Sequence, residues 1–193
     1  MDIDQQIATA LGFPKRQYIS VERERRWLCR NVPRDRIVRT EAITDLYVTG
    51  TRLRLREARP ADGGPPMLRL SRKADLDAHT RLYSSIYHQE EEFRVLAATL
   101  PGTRIKKLRH RLKPLPGVLL AVDEFQAALE GLVMAEAEFE TPELLAAFPA
   151  PDFVHREVTG DPRYTGGYLV ERGLPGLQPD AVATPAQNVA YPG

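Results

Sequence analysis

The sequence predicts a mainly β protein of the α+β class, an eight-stranded antiparallel β-barrel forming a polar, charged tunnel with helices packed outside. Three observations carry this expectation. About eight short segments alternate in polarity with period two, and short links join nearly all of them. Helical periodicity is confined to a few short runs. Nearly every strand presents Arg, Lys or Glu in rows on one face, while its other face is apolar enough to need covering. For any single strand the simpler reading is an ordinary sheet with its charged face in water. A closed barrel with its polar side inward accounts for both faces of the whole set.

At 193 residues the chain fits one domain with trimmings at its ends. Residues 1–14 are expected to form a helix or arm, 15–172 the tunnel domain, and the Pro-, Gly- and Ala-rich residues 173–193 a disordered tail. Apolar residues make up 42% and charged residues 27%, and no run approaches the roughly 18 apolar residues of a membrane span. The first residues lack a basic segment followed by an apolar one, so a cytoplasmic protein is expected, with no membrane partner. Cys29 stands alone, which excludes an internal disulfide and a zinc site. The net charge is +1, but residues 15–113 hold roughly twice as many basic as acidic groups and the remainder is acidic. Such asymmetry points to an anionic partner.

Taken in order, Ile3, Ile7 and Leu11 at spacing four, then Gly12 and Pro14, read as a short helix. Residues 18–30 are the first strand, with Glu22, Glu24, Arg26 and Leu28 on one face and Arg23, Arg25, Trp27 and Cys29 on the other. Residues 42–48 and 52–56 form a hairpin about Thr49-Gly50, and the second of these strands puts Arg52, Arg54 and Arg56 opposite its leucines. After the flexible turn of residues 60–66, a fourth strand aligns Arg69, Ser71 and Lys73, and a fifth aligns Arg81, Tyr83, Ser85 and Tyr87. Residues 90–100 read as a helix with a buried stripe of Phe93, Leu96, Ala97 and Leu100. Three further strands align Lys107, Arg109 and Arg111, then Leu119, Ala121, Asp123 and Phe125, then Glu136, Glu138 and Glu140. Thr141 as N-cap and Pro142 at the first helical position start another helix. A compact element follows around Glu157 to Tyr164.

The chemistry follows from the face assignments. Carboxylates at every second position of one strand converge and repel, so they call for a hard divalent cation, for basic side chains, or for both. Arginines and lysines gathered in a tunnel call in turn for a polyanion, and forked guanidinium groups match phosphate oxygens. The candidate phosphate ligands are Arg52, Arg54, Arg56, Arg69, Lys73, Arg81, Lys107, Arg109 and Arg111. Glu22 and Glu24 on the first strand meet Glu136, Glu138 and Glu140 on the last if the barrel closes, a donor set for Mg²⁺ or Mn²⁺. Such a site supports phosphoryl transfer to water. The four histidines lack ligand spacing and are read as surface or hydrogen-bonded structural residues, and Trp27, Tyr47 and Phe93 as core or barrel-exterior packing.

Glu22-Arg23-Glu24-Arg25-Arg26 resembles the opening Glu-x-Glu-x-Lys signature of the CYTH superfamily, the triphosphate tunnel metalloenzymes. Residues 52–56, Leu70-Ser71-Arg72-Lys73, Lys107-Leu108-Arg109, Val122 to Phe125, Ala135 to Phe139 and Glu157 to Tyr164 follow in the family's order, so the match covers roughly residues 18–170. The resemblance implies divalent-metal dependence and a small-molecule triphosphate substrate. It implies metal at Glu22, Glu24, Glu136 and Glu138, phosphate at Arg54, Arg56, Lys73, Lys107 and Arg109, and a metal- or water-positioning Asp123. Arg26 stands where the signature has lysine and, with Asp123 and Lys73, is a candidate catalytic residue. Tyr83, Ser85 and Tyr87 replace the alternating glutamates of many members.

The first expectation is a metal-dependent triphosphatase, as a monomer or homodimer. The alternatives are an adenylate cyclase of the same superfamily and a polyphosphate- or nucleotide-binding module without turnover. Nucleic-acid binding is not expected, because the arginines of the third strand interleave with leucines rather than with exposed aromatics.

Overall fold

Strict alternation becomes strand wherever one face can be buried and the other can find charged partners. The computed structural model describes residues 4–176 and contains nine strands. They are β1 (Ser20–Cys29), β2 (Ile37–Val48), β3 (Leu53–Pro60), β4 (Met67–Asp75), β5 (Thr80–Tyr87), β6 (Gly102–Leu112), β7 (Val118–Phe125), β8 (Val133–Phe139) and β9 (Val154–Glu157). The first eight close an antiparallel barrel in the order β1-β5-β4-β3-β2-β6-β7-β8 and back to β1. This is the expected architecture.

Closure depends on β1 working in two halves. Ser20 to Arg23 pair with β5, whereas Glu24 to Leu28 pair with β8. The short β9 takes the β1 edge beyond β5, with Trp27 opposite Glu157. β9 thus covers part of the β1 edge that β5 leaves free beyond Arg23.

Helices cover the outer apolar face. Helix α1 (Gln5–Ala10), capped by Asp4, buries Ala8, with Phe13 behind it, against Ala74 and Leu82. Helix α3 (Pro142–Ala147), capped by Thr141 as its sequence predicts, brings Leu144, Leu145 and Phe148 onto Trp27, Ala137 and Phe139. Helix α2 (Glu90–Thr99) opens with a capping box between Gln89 and Glu92. Its stripe of Phe93, Leu96, Ala97 and Leu100 has the expected phase but is only half-buried. Helix α4 (Gly166–Arg172) closes one end of the barrel. Among the described residues no helix is long and apolar enough to cross a membrane. Ile3 and most of the tail expected at 173–193 lie outside the described residues.

Several strand ends differ from expectation, β2 starting at Ile37 and β3 running on to Pro60, and at two ends turn chemistry removes an expected site residue. The β2–β3 turn holds Gly50 at φ +71°, and the Thr51 hydroxyl accepts from Leu53 N at 3.0 Å, so the strand starts at Leu53 and Arg52 is exposed outside it. Likewise β8 ends at Phe139, and the chain turns at Glu140 into the Thr141 cap, leaving Glu140 exposed at the rim.

Candidate active site

Inside the barrel the alternating rows meet. Nine cations line it, Arg26, Arg54, Arg56, Arg69, Lys73, Arg81, Lys107, Arg109 and Arg111, against seven carboxylates, Glu22, Glu24, Glu41, Asp45, Asp123, Glu136 and Glu138. An inner chamber of about 80 Å³ adjoins a second space inside the barrel, a vestibule of about 160 Å³, and the two share Glu22, Arg56, Arg69, Lys73, Arg109 and Glu138. Arg52 and Glu140 line neither space. Arg111 lies in the vestibule, paired with Glu41 at 3.3 Å.

Pairing register brings the acidic strands together. Glu24 stands opposite Glu138, and Arg26 opposite Glu136. Glu22 is paired with Lys73, Glu24 Oε1 lies 2.8 Å from Arg81 Nη1, and Glu136 Oε1 accepts from Arg109 Nη2 at 3.2 Å.

Two buried aspartates organise the basic wall. Asp123 accepts from Lys107 at 2.6 Å and twice from Arg109 at 2.7 Å, which orients both cations toward the chamber. Asp45 does the same for Arg56, at 2.6 and 2.7 Å, across the β2–β3 pair. Burial opposes both charges, yet the facing guanidinium groups, helped at Asp123 by Lys107, hold both carboxyls below the ordinary range.

Other guanidinium donors remain unspent. Arg54 is 3.6 Å from Asp45, and its Nε and Nη2 are buried without a hydrogen-bond partner, as is Nε of Arg69. Burial, together with Arg56 and Arg54 close by, pushes the Arg69 pKa down. Buried donors crowded by like charge are the arrangement that an anion would relieve.

No family profile matches the chain. Over 67 residues it is 48% identical to an inorganic triphosphatase of Acetivibrio thermocellus, a stretch that makes up 35% of this chain and 41% of that protein's length. A solved structure described as an inorganic triphosphatase aligns with 77% of this chain and 93% of its own, at 25% identity and a TM-score of 0.53. The chain has the CYTH-like triphosphate tunnel fold. A protein of Pyrococcus horikoshii shares the fold at 20% identity and a TM-score of 0.50, over 65% of this chain and 82% of its own.

The carboxylates of this CYTH-like tunnel fit a hard divalent cation by donor type. Burial and then Glu136, partly offset by Arg81, push the Glu24 carboxyl up to about 7. Burial, Glu136 and Glu22 raise Glu138 as well. Burial would raise Glu136 too, but Arg109, Lys107, Lys73 and Arg26 hold it well below the usual range. Burial and like charge thus disfavour full ionisation of Glu24 and Glu138, although Arg81 Nη1 lies 2.8 Å and Arg26 Nε 3.3 Å from Glu24 Oε1. Among the described residues no three ligating side chains converge into a ready-made cage. Such a set suits Mg²⁺ or Mn²⁺, which keep water and share their shell with substrate phosphate.

Three placements in the tunnel escape sequence reasoning. Asp45 was hidden in an apolar strand; its signal is an acid in phase with Ile43 and Tyr47, opposite Arg56 in the hairpin. Tyr47, expected in the core or on the exterior, lines the inner chamber. Arg26 lines the chamber too, but its terminal nitrogens donate to the main-chain carbonyls of Tyr164, at 2.8 Å, and Thr159, at 3.0 Å.

Proposed function

We propose that the protein is a divalent-metal-dependent phosphohydrolase acting on inorganic triphosphate or a similar linear triphosphate, by in-line attack of water on a terminal phosphate. The observation that carries this reading is the unpartnered buried N–H groups of Arg54 and Arg69, in one chamber with a carboxylate set in which burial and like charge hold Glu24 and Glu138 above the ordinary range. The partial likeness to inorganic triphosphatases supports the same chemistry.

In this reading Arg54 and Arg69 take phosphate oxygens directly. Arg56 and Arg109, pre-aimed by Asp45 and Asp123, add fixed positive charge along the chain of phosphates. Lys73, shared with Glu22, joins the acidic side of the chamber to the basic side. Glu24, Glu136 and Glu138, with Glu22 beside them, would hold the metal, and Asp123 acts by positioning cations rather than as a ligand. When bound, Mg²⁺ or Mn²⁺ supplies charge neutralisation across the phosphate oxygens and orients the attacking water. The protein's part is alignment and electrostatics, which phosphoryl transfer chiefly requires.

The test is phosphate release from tripolyphosphate, ATP and thiamine triphosphate in parallel, with Mg²⁺ and with Mn²⁺, beside a cyclic AMP assay. Orthophosphate from tripolyphosphate is the expected result. Cyclic AMP from ATP with tripolyphosphate untouched would replace this reading with a cyclase, and binding without turnover in either metal would leave a binding module.

A further inference from the structure

The outer face of the barrel carries a second set of reactive side chains. Thr40 on β2 stands opposite His110 on β6, and Glu124 lies on the neighbouring β7, two residues beyond Val122, the partner of His110. The adjacent Arg109 and Asp123 face the chamber, so alternation turns Thr40, His110 and Glu124 outward. Thr40 Oγ1 lies 3.0 Å from His110 Nδ1, and His110 Nε2 lies 3.0 Å from Glu124 Oε2. His110 is buried, whereas Thr40 is half-buried.

The direction of this relay follows from its acid end. The hydrogen bond from His110 outweighs partial burial and, with Arg34 Nη2 donating at 3.0 Å, holds the Glu124 carboxyl below its ordinary range, so it only accepts. In the neutral ring Nε2 then carries the proton, Nδ1 is the acceptor, and the Thr40 hydroxyl donates to it. This is the polarity of a nucleophile, its base and the group that orients the base. Thr40 also lines a cleft of about 390 Å³ with Ile37, Val38, Arg39, Ala61 and Asp62. A bulge shapes this wall, because Val38 is an extra residue between Ile37 and Arg39 in the register with β6 and is exposed. Ala61 N donates to Thr40 O at 2.9 Å and keeps the facing wall beside the hydroxyl.

We propose that Thr40, His110 and Glu124 are a second active site, which hydrolyses esters of small acyl groups through an acyl-threonine intermediate. Thr40 Oγ1 attacks the ester carbonyl carbon while His110 Nδ1 takes the hydroxyl proton. The bond from that carbon to the alcohol oxygen breaks, and the alcohol leaves with the proton. Water then gives a proton to the same nitrogen and attacks the acyl carbon, and the carboxylic acid departs as the proton returns to Thr40. Glu124 is a positioning residue that holds the ring and balances its transient charge. Arg39, on the cleft wall and 3.6 Å from Glu41, supplies positive charge for the carbonyl oxygen. Ile37, Val38 and Ala61 form an apolar shelf for a short acyl chain. The reaction is independent of the tunnel and of its triphosphate reading.

The full-length protein is assayed with p-nitrophenyl acetate and p-nitrophenyl butyrate in the presence of EDTA, and with a fluorophosphonate probe whose attachment site is located by peptide mass spectrometry. Turnover in EDTA and a probe on Thr40 are expected. His110→Gln should lower the steady-state rate by at least about 100-fold. Thr40→Val should bring the rate to that of buffer, and Thr40→Ser, which keeps the hydroxyl, should retain turnover. Glu124→Gln should lower kcat with KM little changed, a split that loosened packing alone does not give. Tripolyphosphate affinity should be the same in all four variants, which reports an intact barrel. Should Thr40→Val or His110→Gln fail to fold, the probe on the unaltered protein decides. A probe that never attaches to Thr40, or ester turnover undiminished in Thr40→Val, overturns the proposal.

Discussion

Glu24 and Glu138 stand directly opposite one another across the β1–β8 pair, and both carboxyls are held above their ordinary range. Like charges in register on one face destabilise a sheet unless a cation lies between them. Glu138→Gln should therefore raise the melting temperature of metal-free protein by about 2–4 °C, the equivalent of about 1 kcal/mol for a chain of this size. It should also shrink the stabilisation gained from Mn²⁺. An undiminished Mn²⁺ shift in the variant would remove Glu138 from the metal site.

Arg54 and Arg56 are neighbours on one strand face with opposite expected phenotypes. Arg54 leaves donors unspent, so Arg54→Ala should weaken tripolyphosphate binding by about 10- to 100-fold with little change in stability. Arg56→Ala takes from the buried Asp45 both of its guanidinium hydrogen bonds, leaving Arg54 at 3.6 Å as an ion-pair partner, and should cost about 3 kcal/mol of folding free energy. Titration calorimetry and urea denaturation of the two variants separate the roles.

Lys107 gives a pH dependence. Burial, offset by Asp123 but reinforced by Arg109 and Arg56, lowers its ammonium from 10.5 to about 8. Above that pH the folded protein has lost a proton that the unfolded chain keeps, so this group's contribution to stability rises with pH between about 8 and 10.5. Anion binding changes in the opposite sense, because a cation leaves the wall. Tripolyphosphate affinity relative to Lys107→Arg, which keeps its charge, should fall by several-fold between pH 7.5 and 9. Parallel affinity curves for the two proteins would show that Lys107 does not titrate there.

Gly166 tests the packing of helix α4 against the end of the barrel. Gly166→Ala drives a methyl group into the Tyr47 ring and hydroxyl and should cost about 1–3 kcal/mol. Tyr47→Phe in the same chain removes the nearest clashing atom and should recover part of that loss, a coupling that a double-mutant cycle measures. Strictly additive losses would mean that the contact is not made.

Periodicity made much of the tunnel legible. Glu22, Glu24 and Arg26, then Arg54 and Arg56, then Lys107 and Arg109, share faces because side chains alternate along a strand whatever the barrel around them. Strand ends were less legible. Arg52 and Glu140 continue their rows in sequence, but the Thr51 hydroxyl bond and the Thr141 cap end the strands before those side chains can point inward.

The sequence by itself determined which face of each strand is charged, and with it an eight-stranded barrel whose polar side is the inner one. Only the tertiary structure decided which charges are spent. Arg26 meets the carbonyls of residues 133 and 138 positions away, Asp123 takes up Lys107 and Arg109, and Arg54 keeps donors that nothing satisfies. Alternation is a local property of the backbone, whereas an ion pair depends on distance and orientation between strands remote in sequence. The phosphate and metal chemistry proposed here lies in that remainder, the charges left over once the barrel has closed.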